Sequence, residues 1–262
     1  MLSENSMSEL CNLLDSKKLS AEELAKEIIT KVDANSHLGA VAAFEPEIYL
    51  EEARASDIRR QNNQCEALDG IPLILKDNID TINLPTSGGT GALAEKIPPK
   101  EASVVSALKE AGAIIAAKAV MHELAFGITS NNAVTGPARN PYDPSKIPGG
   151  SSGGTAVAVS SRQFPAGLGT DTGGSVRIPA ALCGIYGYRP TTGRYREGGV
   201  IPISKTRDTV GPMARCMKDI VLLDSIMTIN SSQELPPVDF KSIRIGIPKT
   251  RFWENLEPEV QA

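Results

Sequence analysis

The sequence predicts an α/β sandwich, and three observations carry that expectation. From Gly70 onward, apolar runs short enough for buried strands alternate with segments of helical period. Before Gly70 the pattern reads as helical, with one clear capping signature at Ser20. The 262 residues are 41% hydrophobic, enough to bury a sizeable core in one large domain or two small ones.

Residues 1–65 read as an N-terminal helical segment. Ser20-Ala21-Glu22-Glu23 fits a capping box, and Leu24, Ile28 and Val32 recur at i, i+4 and i+8 to give one apolar stripe. A second helix is expected from Pro46 to about Arg60, with Ile48, Leu50, Ala53 and Ile58 as its less polar positions. Both read as packing elements, with a partner-binding helical pair as the alternative. Ile71 to Leu75 then reads as a strand, Ala102 to Glu110 as a helix, Ala113 to Ala117 as a strand, and Phe164 to Leu168 as another short buried segment. Gly184 to Arg189 reads as a strand, Gly198 to Ile203 and Asp208 to Met213 as connecting pieces, and Met217 to Met227 as an amphipathic helix. Residues 230–241 form a polar connection, Ile243 to Ile247 alternates like a strand, and a helix starts near Glu257.

Composition excludes several classes. A net charge of −4 and a pI near 5.4, with no basic block, argue against a nucleic-acid surface. Cys11, Cys65, Cys183 and Cys216 lie far apart with no paired histidines nearby, so no zinc site and no metal is expected, and the thiols read as reduced. The amino terminus lacks a basic start and an apolar core, which places the protein in the cytoplasm. Ala111 to Ala117 is the longest central apolar run, far below the ~20 residues that span a bilayer, so no membrane association is expected.

The chemistry concentrates between residues 149 and 179. Gly149-Gly150-Ser151-Ser152-Gly153-Gly154 opens onto the small-residue run Thr155 to Val159, a helix start with Ser152 near its N-cap. Gly169-Thr170-Asp171-Thr172-Gly173-Gly174-Ser175 follows an apolar piece and precedes another. Without Cβ atoms at Gly173 and Gly174, consecutive N–H groups can converge on an anion, such as the oxyanion formed when Ser175 attacks a carbonyl. A flexible loop or a phosphate cradle fits the glycines too, although neither turn matches the P-loop or dinucleotide pattern.

A serine nucleophile needs a base. His37 sits in a polar turn and reads as surface, while His122, in Met121-His122-Glu123-Leu124, reads as a packing or hydrogen-bonding residue. Lys76 ends the apolar run Ile71-Pro72-Leu73-Ile74-Leu75. Burial disfavours its ammonium form and lowers its pKa from the ordinary value of about 10.4 toward neutrality. A strand-end ion pair with Asp77 or Asp80 is the competing reading.

GGSSGGTAVAV, GTDTGGSVRIPAALCG and the upstream LKDNID closely resemble the amidase signature family of serine amidohydrolases. Lys76 precedes Ser151 by 75 residues and Ser175 follows it by 24, the separations of that family's Lys-Ser-Ser triad. The resemblance implies a mixed central sheet sandwiched by helices, with Ser175 as nucleophile, Ser151 as bridging serine, commonly held by a cis peptide, and Lys76 as base. It assigns oxyanion amides to Thr172, Gly173, Gly174 and Ser175, brings Thr129 and Ser130 near the substrate, and makes Thr86 to Gly89 candidates for a nearby loop. Asp171 and Arg177 read as structural, and no cofactor is implied.

MHELAFGITSNN, RNPYDPSKIPGGSSGGT and RPTTGRY are more similar to indoleacetamide and mandelamide hydrolases than to the glutaminase component of tRNA-dependent amidotransferases. A small aryl-acetamide is therefore the expected substrate and the glutaminase the alternative. Family members continue for a comparable further length, so residues 66–262 are expected to be the first part of the catalytic domain, its C-terminal part missing. A complementing C-terminal chain, a homodimer, or an inactive truncated remnant are the corresponding expectations.

Overall fold

The computed structural model describes residues 4–196, 198–228, 238–247 and 253–261. Its first elements are α1 (Met7–Asp15) and α2 (Ala21–Ala34), each opened by a serine. Ser20 and Glu23 form the expected capping box, and Ser6 with Glu9 forms a second, unforeseen one. A capping box leaves other N–H groups of the first turn open. Carboxylates from other helices close them. Asp219 accepts from Met7 N–H and Ser8 N–H, each at 2.8 Å, and Asp57 accepts from Ala21 N–H at 2.7 Å and Glu22 N–H at 3.0 Å. Both charges also complement the positive end of the helix they cap.

β1 (Val41–Phe44) interrupts the segment expected to be helical and pairs antiparallel with β3 (Ile114–Ala119). Four residues, two of them alanine, are too short and too weak in strand propensity to show a period-2 signal. α3 (Pro46–Gln61) starts on proline, as the first turn permits, and buries Tyr49, Ala53, Ser56 and Arg60. Of the less polar positions expected, Ala53 is buried and Leu50 packs partly against the core, whereas Ile48 is 43% and Ile58 58% exposed. A charged residue takes the inward place because the Arg60 guanidinium reaches Asp15 at 2.7 Å and the Asp69 carbonyl at 2.5 Å.

β2 (Pro72–Lys76) is central to a six-stranded mixed sheet of order β1-β3-β2-β4-β6-β5. It runs parallel to β3 and to β4 (Ala166–Thr170), while β6 (Val210–Ala214) is antiparallel to β4 and to β5 (Tyr186–Gly187). Every residue of β2, β4 and β6 is buried, the continuous apolar signature of interior strands. α4 (Ser103–Glu110) packs against β3 and α7 (Met217–Met227), and α7 packs against β6. α5 (Gly153–Ser160) crosses β2, β3, β4 and β6 at close range. A Cβ on Gly154 would lie 2.6 Å from the Val120 amide nitrogen, so only glycine permits this seam. α6 (Arg177–Leu182) follows the second glycine turn.

Two readings of the C-terminal third are corrected. Residues 208–213, expected to connect, contain most of β6, an interior strand disguised by Gly211 and Pro212. Gly211 is required because a Cβ there would run into the Tyr188 carbonyl. Ile243 to Ile247 is not a strand. Alternation sets a side-chain pattern, but a strand also needs a neighbour for its backbone groups, and none of the described residues supplies one. Ile245 is accordingly 83% exposed. The strand expected over Gly184 to Arg189 shortens to Tyr186–Gly187.

The chain divides into two compact units, Met1–Ser232 and Gln233–Ala262. Residues 1–65 belong to the first, tied to the sheet by β1. Within the second, Phe240–Ser242 makes one 3-10 turn and α8 (Pro258–Gln261) forms where a helix was expected. The connection expected over residues 230–241 lies mostly outside the described residues. Among the described residues, no helix is long and apolar enough to cross a membrane.

Replacing Asp219 strands two N–H groups of α1, each bonded to a charged acceptor. Asp219→Ala is expected to lower unfolding free energy by about 2–4 kcal/mol, and Asp219→Asn by less, in urea titrations. An unchanged midpoint for Asp219→Ala would show that the carboxylate is not what holds α1.

Candidate active site

The register of β2 with β4 brings the carboxyl ends of two parallel strands together, and with them Lys76 and Thr170. The crevice outside such ends is where α/β sheets gather ligands. Lys76 is fully buried. Its Nζ lies 2.7 Å from Ser151 Oγ, 2.8 Å from Thr170 Oγ1 and 3.3 Å from the Thr170 carbonyl. These three acceptors satisfy the three donors of an ammonium. As a neutral amine, Lys76 would give two N–H groups to Thr170 and turn its lone pair to the Ser151 hydroxyl.

The strand-end pairing with Asp77 or Asp80 is not formed: Asp77, the next residue, leaves on the opposite face from Lys76, and both carboxylates act on Lys118. Asp77 instead lies 3.7 Å from the Nζ of Lys118, a second buried lysine, on β3. Burial lowers the Lys76 pKa to about 7, with Asp171 and Asp208 opposing. Burial lowers that of Lys118 to about 8, with Asp77 and Asp80 opposing. Lys118 was missed in the sequence, although it carries the signal used for Lys76, a lysine inside the apolar run Ile114 to Val120.

The first glycine turn is a packed structure and not a flexible loop. The Gly150–Ser151 peptide is cis. The Ser151 carbonyl accepts from the His122 N–H at 3.2 Å and the Ser130 hydroxyl at 3.4 Å. Ser130 is fully buried, and its Oγ also accepts from Gly153 N–H at 3.0 Å, capping α5. A Cβ on Gly150 would sit 2.8 Å from that oxygen, so the glycines exist to admit Ser130. Ser152 occupies the expected N-cap position without capping; its hydroxyl donates to the Thr170 carbonyl at 3.3 Å.

The second turn is built around Asp171. Its fully buried carboxylate accepts from Gly174 N–H at 2.8 Å and Val176 N–H at 3.1 Å, and from the Arg177 guanidinium through two bonds of 3.0 Å. Burial pushes the Asp171 carboxyl up, but Arg177 and the backbone donors outweigh it and hold it below the usual carboxylate range. The structural reading of Asp171 and Arg177 thus matches their contacts. Because Gly174 N–H points at Asp171, it leaves the expected set of four oxyanion donors; Thr172, Gly173 and Ser175 keep N–H groups with no protein acceptor among the described residues. Thr172 is fixed from the far side, its hydroxyl donating to Asp208 at 2.5 Å.

Ser175 is 9% exposed. Its carbonyl accepts from Ser152 N–H at 3.2 Å, which joins the two glycine turns directly. Among the described residues, no hydrogen bond links the Ser151 and Ser175 hydroxyls. Thr129 Oγ1 lies 3.2 Å from His122 Nδ1 and accepts from Asn131 N–H at 3.3 Å. His37 is exposed, and neither histidine side chain bonds a serine of the turns. In the loop expected near the site, the Ser87 hydroxyl and Gly89 N–H bond Asp77, and Thr86 Oγ1 accepts from Lys118 at 2.7 Å. A cavity of about 330 Å³ is lined by Thr170, Tyr195, Val200, Asp208 and Val210; Thr170 bonds Lys76 and Asp208 bonds Thr172.

The family model described as Amidase matches residues 23–262. An indoleacetamide hydrolase of Rhizobium radiobacter is 45% identical over 260 residues, which cover 99% of this chain and 55% of that protein. A glutamyl-tRNA(Gln) amidotransferase component of Chloroflexus aggregans is 40% identical, covering 94% of this chain and 53% of that protein. The crystal structure of the native peptide amidase from Stenotrophomonas maltophilia superposes with a TM-score of 0.82 at 34% identity, over 87% of this chain and 48% of that one. The chain spans about half the length of the curated relatives it matches. A sheet whose parallel strand ends meet two glycine turns, and a family model matched across all but the first helix, lead to one conclusion: the chain belongs to the Amidase family and has the amidase signature fold.

Proposed function

We propose that this site cleaves a carboxylic amide to the acid and ammonia through an acyl-enzyme on Ser175. The observation that carries the reading is the buried Lys76 amine, 2.7 Å from Ser151 Oγ with a pKa brought to about 7. Neutral Lys76 takes the Ser151 proton while Ser151 takes that of Ser175, whose oxygen bonds to the amide carbon. The Ser151–Ser175 contact tightens when substrate is bound, as catalytic contacts commonly do. The Thr172, Gly173 and Ser175 N–H groups hold the oxyanion. As the tetrahedral intermediate collapses, Lys76 returns its proton through Ser151 to the leaving nitrogen, which departs as ammonia. Water then attacks the ester by the same relay, and Ser175 recovers its proton.

Likeness to the indoleacetamide hydrolase of Rhizobium radiobacter supports indole-3-acetamide as a small aryl-acetamide substrate, with mandelamide as another of that class to test. The second reading, a glutaminase of a tRNA-dependent amidotransferase, is supported by the Chloroflexus aggregans relative. Ammonia release from indole-3-acetamide but not from glutamine separates the two. The proposed setting is cytoplasmic, with a complementing C-terminal chain or second copy over exposed apolar residues such as Ile245.

Ser175→Ala is expected to abolish covalent labelling by a fluorophosphonate, read by intact mass. Labelling that persists would remove Ser175 as nucleophile, and no labelling of the wild-type chain would leave the inactive-remnant reading standing.

Because only neutral Lys76 can act as base, the labelling rate should rise with pH through a limb centred near 7, and Lys76→Ala should lose that limb. A wild-type profile flat from pH 6 to 8, about a unit either side of that midpoint, would exclude Lys76 as the titrating base.

The same burial affects stability. The folded pKa of about 7 lies below the ordinary value of 10.5, so the unfolded chain binds more protons in that window and stability rises with pH across it. Lys76→Met lacks this dependence. The wild type should gain stability relative to Lys76→Met as pH rises from about 7 toward 10, measured by denaturant titration at each pH.

A further inference from the structure

We infer that Asn78 is a positioning residue for the amide-hydrolysing site, acting through the Thr170 hydroxyl on the Lys76 amine; the inference rests on the function proposed above. Asn78 lies two residues beyond Lys76, in the turn that leaves β2, and is 2% exposed. Its Nδ2 donates to Thr170 Oγ1 at 3.1 Å, the same oxygen that meets Lys76 Nζ at 2.8 Å. The backbone on both sides is fixed independently. Ile201 N–H donates to the Asn78 carbonyl at 2.9 Å, and Thr170 N–H donates to Ser152 Oγ at 3.3 Å.

What remains free is the Thr170 side chain, which has several staggered positions available to it. Only one of them carries Oγ1 to Lys76. The Asn78 amide selects that one, since a hydroxyl turned elsewhere would leave a buried amide N–H without an acceptor. Among the described residues the Asn78 Oδ1 has no partner, so the side chain is not retained for a fully satisfied network of its own. With Thr170 Oγ1 and the Thr170 carbonyl both taking Lys76 N–H groups, the third direction on nitrogen is aimed at Ser151 Oγ. A rotated Thr170 would let the amine swing, and the lone pair would leave the Ser151 proton.

The test is a double-mutant cycle on the full chain, with Asn78→Ala, Thr170→Val and the pair. Fluorophosphonate labelling of Ser175 is followed against pH, and circular dichroism confirms folding. Each single variant is expected to label about tenfold more slowly, on the order of a small misplacement of a catalytic group. Thr170→Val removes an acceptor of the ammonium and Asn78→Ala lets that same acceptor turn away, so the acid limb should move to lower pH in each. The pair should match Thr170→Val alone in rate and limb, because Asn78 has nothing left to position. Should Asn78→Ala not fold, Asn78→Ser keeps a donor on a shorter side chain and should fall between wild type and Thr170→Val. Additive losses, or an acid limb unmoved in the Asn78 variant, would overturn the inference while leaving the function intact. A wild-type chain that is not labelled at Ser175 would overturn both.

Discussion

The constraint on which the proposed site depends is the burial of the Lys76 amine. Lys76 ends the central strand of the sheet, flanked by parallel neighbours and covered by α5, with no carboxylate in ion-pair contact among the described residues. Desolvation brings its pKa to about 7, and each unit of such a shift corresponds to about 1.4 kcal/mol. A stability penalty of this kind survives only where surrounding packing supplies the difference. Here the wholly buried strands β2, β4 and β6 and the close seam with α5 do so.

Close approach explains the glycines better than flexibility does. Gly150 and Gly153 make room for the Ser130 hydroxyl, Gly154 lets α5 reach the backbone of Val120, and Gly174 turns its N–H into the Asp171 carboxylate. The two turns are then one object, joined by the Ser152 to Ser175 bond. Asp171 is the counterpart of Lys76 in this respect. Held ionised by Arg177 and by backbone donors, it shapes the turn while remaining out of ion-pair contact with the lysine whose neutrality matters.

The residues on which the proposed chemistry rests, Lys76, Ser151 and Ser175, each carry an unusual local signal in the sequence: a lysine closing an apolar run, and serines inside glycine pairs. Strands lacking such a signal were harder to read. β1 is four residues with two alanines, and β6 contains Gly-Pro, the dipeptide that local preference assigns to a turn. In β6 tertiary pairing to β4 and the near approach of Tyr188 override that preference. Ile243 to Ile247 shows the converse, an alternating pattern with no neighbour to pair with among the described residues. At Gly174 the sequence could show that an N–H was exposed by the turn but not where it pointed, since that depends on the Asp171 rotamer.

Two buried lysines at one end of one sheet show how contacts divide the roles. The register pairs Lys118 with Leu75 and Lys76 with Ala119, so the two amines leave the sheet on opposite faces. Lys118 finds Asp77 at 3.7 Å, the Ile79 carbonyl at 2.8 Å, the Pro85 carbonyl at 3.1 Å and the Thr86 hydroxyl at 2.7 Å. A carboxylate and fixed carbonyls favour the ammonium, and its pKa falls only to about 8. It can remain an ion that binds the loop over residues 79–89. Lys76 finds hydroxyls and one carbonyl, with its nearest charges outside contact, and comes to about 7. Burial lowers both amines, and what separates them is the company they keep: Lys118 meets a carboxylate, whereas Lys76 meets hydroxyls, which can accept from an ammonium or donate to a neutral amine.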